Sequence, residues 1–301
     1  MASGKKKNRR PGRAGRAALA IFVLLIALAL GAGALNAAMV RVRRAEVRLA
    51  DLPPAFDGAT LLYASDIDLC GLNTPARSAD LFARLQKLKP DILLLGGDYA
   101  SASLFDILNR EDKEKDAGGS RARAEFLGAL ASFEAPLGKF AIRAPEDGDP
   151  DGLAAALEAA GIHPLFDASV GIRAGGDTLY LAGLCGDAAP IARAAMAAKK
   201  GDCVVAVLAT PALIPQVMIN EVAGGGTWCD MILAGHTHGG QIRLGSATAL
   251  SLNGVEKNYL AGWRLENGVP MLTTTGVGCE GLNVRLGTGA EVWLITLRRA
   301  E

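Results

Sequence analysis

The sequence predicts an α/β fold carried behind an amino-terminal apolar helix. Three observations lead there: short apolar runs alternate with stretches of helical spacing, several runs end in small or acidic residues, and one long segment near the amino terminus lacks charge.

The uncharged segment comes first. Lys5, Lys6, Lys7, Arg9, Arg10, Arg13 and Arg16 precede Ala17 to Val40, whose centre from Ala20 to Leu30 is strongly apolar. As a helix it would extend about 36 Å, enough to cross a hydrocarbon core of about 30 Å. The basic flank then stays cytoplasmic and everything after Arg41 lies beyond the membrane. A cleaved signal peptide, with Ala32-Gly33-Ala34 as the processing site, and a buried core helix are the competing readings. The expected organisation is a basic cytoplasmic tail over 1–16, an anchor or signal over 17–40, a short juxtamembrane strand and linker over 41–54 and one domain over 55–301. The expected location is the cell membrane with the main domain extracytoplasmic, or secreted if the segment is cleaved.

Past Pro53-Pro54 the alternation begins. Buried strands are expected at Leu61 to Ala64, Ile92 to Leu95, Phe140 to Ile142, Leu179 to Ala182, Val204 to Ala209, Met231 to Ala234, Met271 to Thr274 and Val292 to Leu297. Leu81, Leu85 and Leu88, then Phe126, Leu127 and Leu130, recur at helical spacing, and Ala188 to Lys200 reads as a surface helix. Asn109 to Ala122, charged and glycine-containing, reads as a surface excursion.

Composition narrows the function. The chain has 32 basic and 31 acidic residues; without its seven amino-terminal cations the balance is 25 against 31. A mildly acidic body argues against a nucleic-acid partner. Half the residues are apolar, which excludes a disordered chain. Five scattered cysteines without a C-x-x-C pair exclude a zinc ribbon or a small disulfide scaffold.

Three polar clusters follow the apolar runs: Ser65-Asp66-Ile67-Asp68, Gly96-Gly97-Asp98, and Gly235-His236-Thr237-His238-Gly239-Gly240-Gln241. At the carboxyl ends of strands these can converge where α/β folds place ligands. Alternate residues of extended backbone point the same way, so Asp66 with Asp68, and His236 with His238, are expected to present paired ligands. Carboxylates with imidazoles form a credible divalent-metal set. Taken alone, Asp66 or Asp98 would read as a cap or turn former, and His163 as structural.

These motifs, in this order, resemble the calcineurin-like metallophosphoesterases, specifically their membrane-anchored or exported bacterial branch. Gly235-His236-Thr237-His238-Gly239-Gly240-Gln241-Ile242 carries most of the likeness, supported by Tyr259 to Gly262, Thr275-Gly276-Val277-Gly278 and Glu291. The resemblance covers about Leu61 to Leu297 and implies a four-layer α/β/β/α sandwich with a two-metal centre at the sheet edges. The sequence also departs from the family. Asp66-Ile67-Asp68 stands for Asp-x-His, and Ala144-Pro145-Glu146-Asp147 stands for Gly-Asn-His-Asp, so Pro145 replaces a ligand and Glu146 the leaving-group acid. Ala209 replaces a further metal-binding histidine.

Carried over, the resemblance implies one position built from Asp66, Asp68, Asp98 and His238. A second would keep Asp98 and His236 but lose two ligands. One ion rather than two is expected, and the added carboxylate favours Mn²⁺ or Mg²⁺ over Zn²⁺. Glu146 or Asp147 is the candidate acid. The implied activity is hydrolysis of a phosphoester, on a small molecule or a lipid headgroup. The alternative is a non-catalytic descendant that binds metal, a phosphorylated envelope component or a protein.

Overall fold

The structure, a computed structural model, describes residues 12–101, 115–186, 188–222 and 225–300. The basic run from Lys5 to Arg10 and residues 109–114 lie outside them. In chain order the elements are α1 (Arg13–Ala38), β1 (Arg41–Leu49), β2 (Thr60–Ala64), α2 (Pro75–Leu85), β3 (Ile92–Leu95), α3 (Lys115–Ala129), β4 (Gly138–Ala141) and α4 (Pro150–Ala159). Then come β5 (His163–Pro164), β6 (Ser169–Ala174), β7 (Asp177–Leu184), α5 (Ala188–Ala197), β8 (Cys203–Leu208), α6 (Ile214–Ile219) and β9 (Met231–Ala234). The chain finishes with β10 (Arg243–Leu244), β11 (Ala247–Thr248), α7 (Gly254–Asn258), β12 (Gly262–Glu266), β13 (Val269–Thr273) and β14 (Glu291–Arg299).

The strands form two six-stranded sheets, ordered β1-β14-β2-β3-β4-β5 and β12-β13-β9-β8-β7-β6, plus a β10-β11 ribbon. Strand periodicity explains the cores. Leu61 and Tyr63 of β2, with Ile92 and Leu94 of β3, join Leu179, Leu181, Val205, Val207 and Leu233 of the second sheet in one apolar cluster. The alternate residues Leu62, Ala64, Leu93 and Leu95 pack instead with Leu81, Phe82, Phe126, Leu127 and Leu157 from α2, α3 and α4. Ala206, Leu208, Ile232 and Ala234 pack with Ile191, Ile214 and Val217 from α5 and α6. Both faces of the central strands are therefore buried, which is why they read as continuous apolar runs.

Two sequence expectations change. The strand expected within 41–54 is part of the domain and not a juxtamembrane segment outside it, because β1 pairs in parallel with β14 along its full length, from Arg41↔Glu291 to Leu49↔Arg299. Its charged residues masked this: β1 is an edge strand, exposed over most of its first half. The excursion expected up to Ala122 is shorter, since Lys115 onward is helical. The missed β6 and β12 are likewise outer strands, partly exposed, and lack the apolar density that marked the others.

Register sets up the site. β2, β3 and β4 run parallel, with Ala64 opposite Leu95 and Leu95 opposite Ala141. In the other sheet Leu208 lies opposite Ala234, and Ala234 opposite Thr273. The loops that follow these residues leave their sheets from one edge.

Candidate metal centre

The loops after β2 and β3 stay paired beyond their strands: Asp66 N donates to Gly97 O at 3.0 Å, and Asp68 N to Asp98 O at 3.1 Å. The second sheet closes on them. His236 N donates to Asp66 Oδ1 at 2.7 Å, and Gly278 N to Asp66 O at 2.7 Å. This close approach needs glycine. A Cβ on Gly235 would lie 2.6 Å from Asp66 Oδ2, and one on Gly276 would lie 2.7 Å from Asp66 Cβ.

Asp66, Asp98 and His238 are brought together, each offering a ligand atom within 4.8 Å of the others. Asp68 stands beside them, its Oδ2 3.6 Å from His238 Nε2. Contrary to what their spacing predicts, the pairs are not presented by extended backbone. Asp66, Asp68, Asp98, His236 and His238 all have positive φ, between 47° and 74°. The side chains converge because each sits on a tight left-handed turn, a conformation that Asp and His tolerate better than bulky residues.

His236 is directed elsewhere. Its Nε2 lies 3.6 Å from Glu256 Oε1, and its side chain is 31% exposed. Glu256 is itself fixed, accepting from Asn253 N at 2.7 Å and Thr210 Oγ1 at 3.2 Å. It thus reaches the end of β8, where Ala209 provides no ligand.

Of the two candidate acids, Glu146 is exposed and Asp147 is buried. Asp147 accepts from Asp98 N at 3.0 Å, Ala144 N at 2.8 Å and Tyr99 N at 2.8 Å. Its carboxylate is occupied in shaping the Gly97-Asp98-Tyr99 turn, so its role in the structure is to position Asp98.

The residue that the sequence did not flag is Arg285. It is fully buried, and its guanidinium donates to the carbonyls of Gly278, Gly276, Gly289 and His238; Nη2 lies 3.3 Å from His238 Nδ1. No motif spacing announces it; Asn283-Val284-Arg285-Leu286 reads as ordinary surface sequence.

Electrostatics show what the cluster lacks. Asp66 Oδ2 and both oxygens of Asp68 are buried without a hydrogen-bond partner. Burial pushes Asp66 up from its ordinary 3.8 to about 6. Burial, followed by the charge of Asp66, raises Asp68 well above its ordinary value. Burial and the neighbouring carboxylates do the same to Asp98. Burial, then the charge of Arg285, holds His238 well below its ordinary value, in the neutral form that ligates metals. Crowded carboxylates with unsatisfied oxygens and a neutral imidazole match the donor set of a divalent cation. Among the described residues this is the one group of three or more such ligands that converges.

No protein-family model matches the chain. No curated protein matches it either.

Two predictions follow from the geometry. In the fold Asp66 keeps its proton to about pH 6, against 3.8 for the ordinary group. Stability from the protonated form is therefore present at low pH and lost as pH rises through about 6. The chelator-treated full chain in detergent should melt at lower temperature as pH rises from about 5 to about 7, with Mn²⁺ restoring more at the higher pH. A pH-flat melting temperature indifferent to Mn²⁺ would contradict this. Separately, Asp147→Ala strands three backbone donors and should cost roughly 3 kcal/mol by denaturant titration, whereas Asp147→Asn, which keeps one acceptor oxygen, should cost less.

Proposed function

We propose that the protein is a membrane-anchored, divalent-metal-dependent phosphoester hydrolase of the calcineurin-like type, built as a four-layer α/β/β/α sandwich and holding one ion. The observation that carries this reading is the convergence of Asp66, Asp98 and His238, with unsatisfied oxygens on Asp66 and its neighbour Asp68. The three apolar clusters support the layering: one combines residues of both sheets, and the other two combine sheets with helices.

Asp66, Asp98 and His238 would hold the ion, with Asp68 beside them. When bound, such an ion neutralises phosphoryl oxygens and lowers the pKa of water. The carboxylate content of the cluster favours Mn²⁺ or Mg²⁺ over Zn²⁺. Arg285 tethers His238 and the Gly276 and Gly278 carbonyls, so the imidazole keeps its orientation. Glu256 orients the partly exposed His236, whose imidazole would be placed to pass a proton to the leaving oxygen. Asp147 fixes the turn that aims Asp98.

The interior of α1 favours an anchor over a cleaved signal. Gly33, in the middle of the small-residue processing site, is buried, and its carbonyl accepts from Arg285 N at 3.0 Å. Ala38 O accepts from Arg77 Nη2 at 2.6 Å. Processing there would strip the domain of contacts made by Gly33.

The second reading, a non-catalytic metal- or ligand-binding protein, draws on Pro145 and Ala209, which stand where the family has ligands. Purified full chain in detergent should contain one Mn²⁺ per chain and hydrolyse phosphomonoester or phosphodiester substrates. Asp98→Ala and His238→Ala should abolish both metal and turnover. His236→Gln should retain metal but lower kcat by roughly 10²–10⁴. Bound metal with no turnover on any ester would select the second reading, and hydrolysis surviving Asp98→Ala would refute the site.

A further inference from the structure

Helix α1 is exposed from Arg13 to Ala32 and first meets the domain at Gly33. The uncharged part of that stretch, Ala17 to Ala32, spans about 24 Å, most of a bilayer core of about 30 Å, with Arg13 and Arg16 left to reach the inner headgroups. The outer boundary of the bilayer then falls at the level of Gly33. There the helix touches the segment Val284 to Leu286: a Cβ on Gly33 would lie 2.5 Å from Val284 Cγ1 and 3.1 Å from Leu286 Cδ2.

Two loops reach this level together. Cys70 to Asn73 and Cys279 to Asn283 touch through Cys70 Sγ, which donates to Cys279 O at 3.5 Å, and a Cβ on Gly71 would collide with the Asn283 amide. Each presents an exposed leucine, Leu72 at 57% and Leu282 at 46%. Between them and the end of α1 lies a cavity of about 200 Å³ that includes Ala37, Val40, Leu72, Arg77 and Arg84. Asp80 is the carboxylate among its lining residues, and neither arginine forms an ion pair with it. Apolar tips with a basic recess beside a membrane-length helix are the pattern of an interfacial surface.

The same loops start at the metal centre. Cys70 follows Asp68 by two residues, and a Cβ on Gly278 would lie 2.5 Å from Asp68 Cβ. We infer that loops 70–73 and 279–283 dock on the bilayer surface beside α1 and that the phosphoester is borne by a membrane lipid, its anionic headgroup met by Arg77 and Arg84. The docking stands on the anchor geometry; the substrate class rests on the proposed hydrolase reading.

The two parts separate experimentally. Full chain carrying Leu72→Cys or Leu282→Cys is spin-labelled and reconstituted in phosphatidylcholine vesicles containing phosphatidic acid, with the identically treated parent as blank. Met196→Cys on α5, an apolar position even more exposed to solvent, is the comparison. The ratio of collision with oxygen to collision with a polar nickel complex should be severalfold higher at 72 and 282 than at 196. Equal ratios overturn the docking. In the second arm, the doubly substituted chain Leu72→Asp, Leu282→Asp should show a severalfold lower ratio of phosphate release from the vesicles to release from soluble p-nitrophenyl phosphate. An unchanged ratio overturns the lipid substrate. No release by the parent from either source and no turnover of bis(p-nitrophenyl) phosphate overturns the hydrolase reading and with it the lipid substrate, and turnover of that diester alone overturns the phosphomonoester lipid; in both cases the collision ratios judge the docking.

Discussion

Three carboxylates crowd together, two of them fully buried, and three oxygens of Asp66 and Asp68 have no hydrogen-bond partner. Burying an unpaired charge costs several kcal/mol, and burying it beside a like charge costs more. Two outcomes relieve this: the groups take up protons, or a cation joins them. The elevated carboxyls describe the first state, and the lowered imidazole of His238 leaves a neutral ring nitrogen free for the second. In our account the second is the working state, and the surrounding architecture serves to make it available.

That architecture is expensive locally. Five left-handed residues sit at the ends of strands, and glycines at 235 and 276 allow the two sheets to meet where any larger residue would collide with Asp66. Such turns persist because their surroundings over-determine them. Asp147 ties down the Asp98 turn with three backbone donors, and Arg285 ties the late loop to His238 through carbonyls. Arg285 also brings a guanidinium charge that acts on both Asp66 and Asp68, partly offsetting their repulsion. Its backbone N–H is bonded to Gly33 of α1, so a single residue links the apolar helix to the candidate metal centre.

Much of this was legible in the sequence, because central strands buried on both faces announce themselves: Leu61 to Ala64, Ile92 to Leu95 and Met231 to Ala234 are strands where expected. Edge strands were not. β1 carries five charges in nine residues and reads as a juxtamembrane strand outside the domain until its pairing with β14 is seen. In the site, Asp66, Asp98 and His238 could be found because each closes an apolar run beside glycine or serine. Arg285 and Glu256 act through tertiary proximity alone, and no spacing rule reaches them. Asn253-x-x-Glu256 is a capping box, which marks a helix start and gives no hint that the carboxylate also faces His236.

The central claim is that Asp66, Asp98 and His238 surround one cation. Diffraction from crystals soaked in Mn²⁺, collected on both sides of the manganese absorption edge, tests it directly. The account predicts a single anomalous peak within coordinating distance of the Asp66 and Asp98 carboxylates and the His238 ring. No peak at that position, or a peak held by other residues while those three side chains diverge, would contradict it.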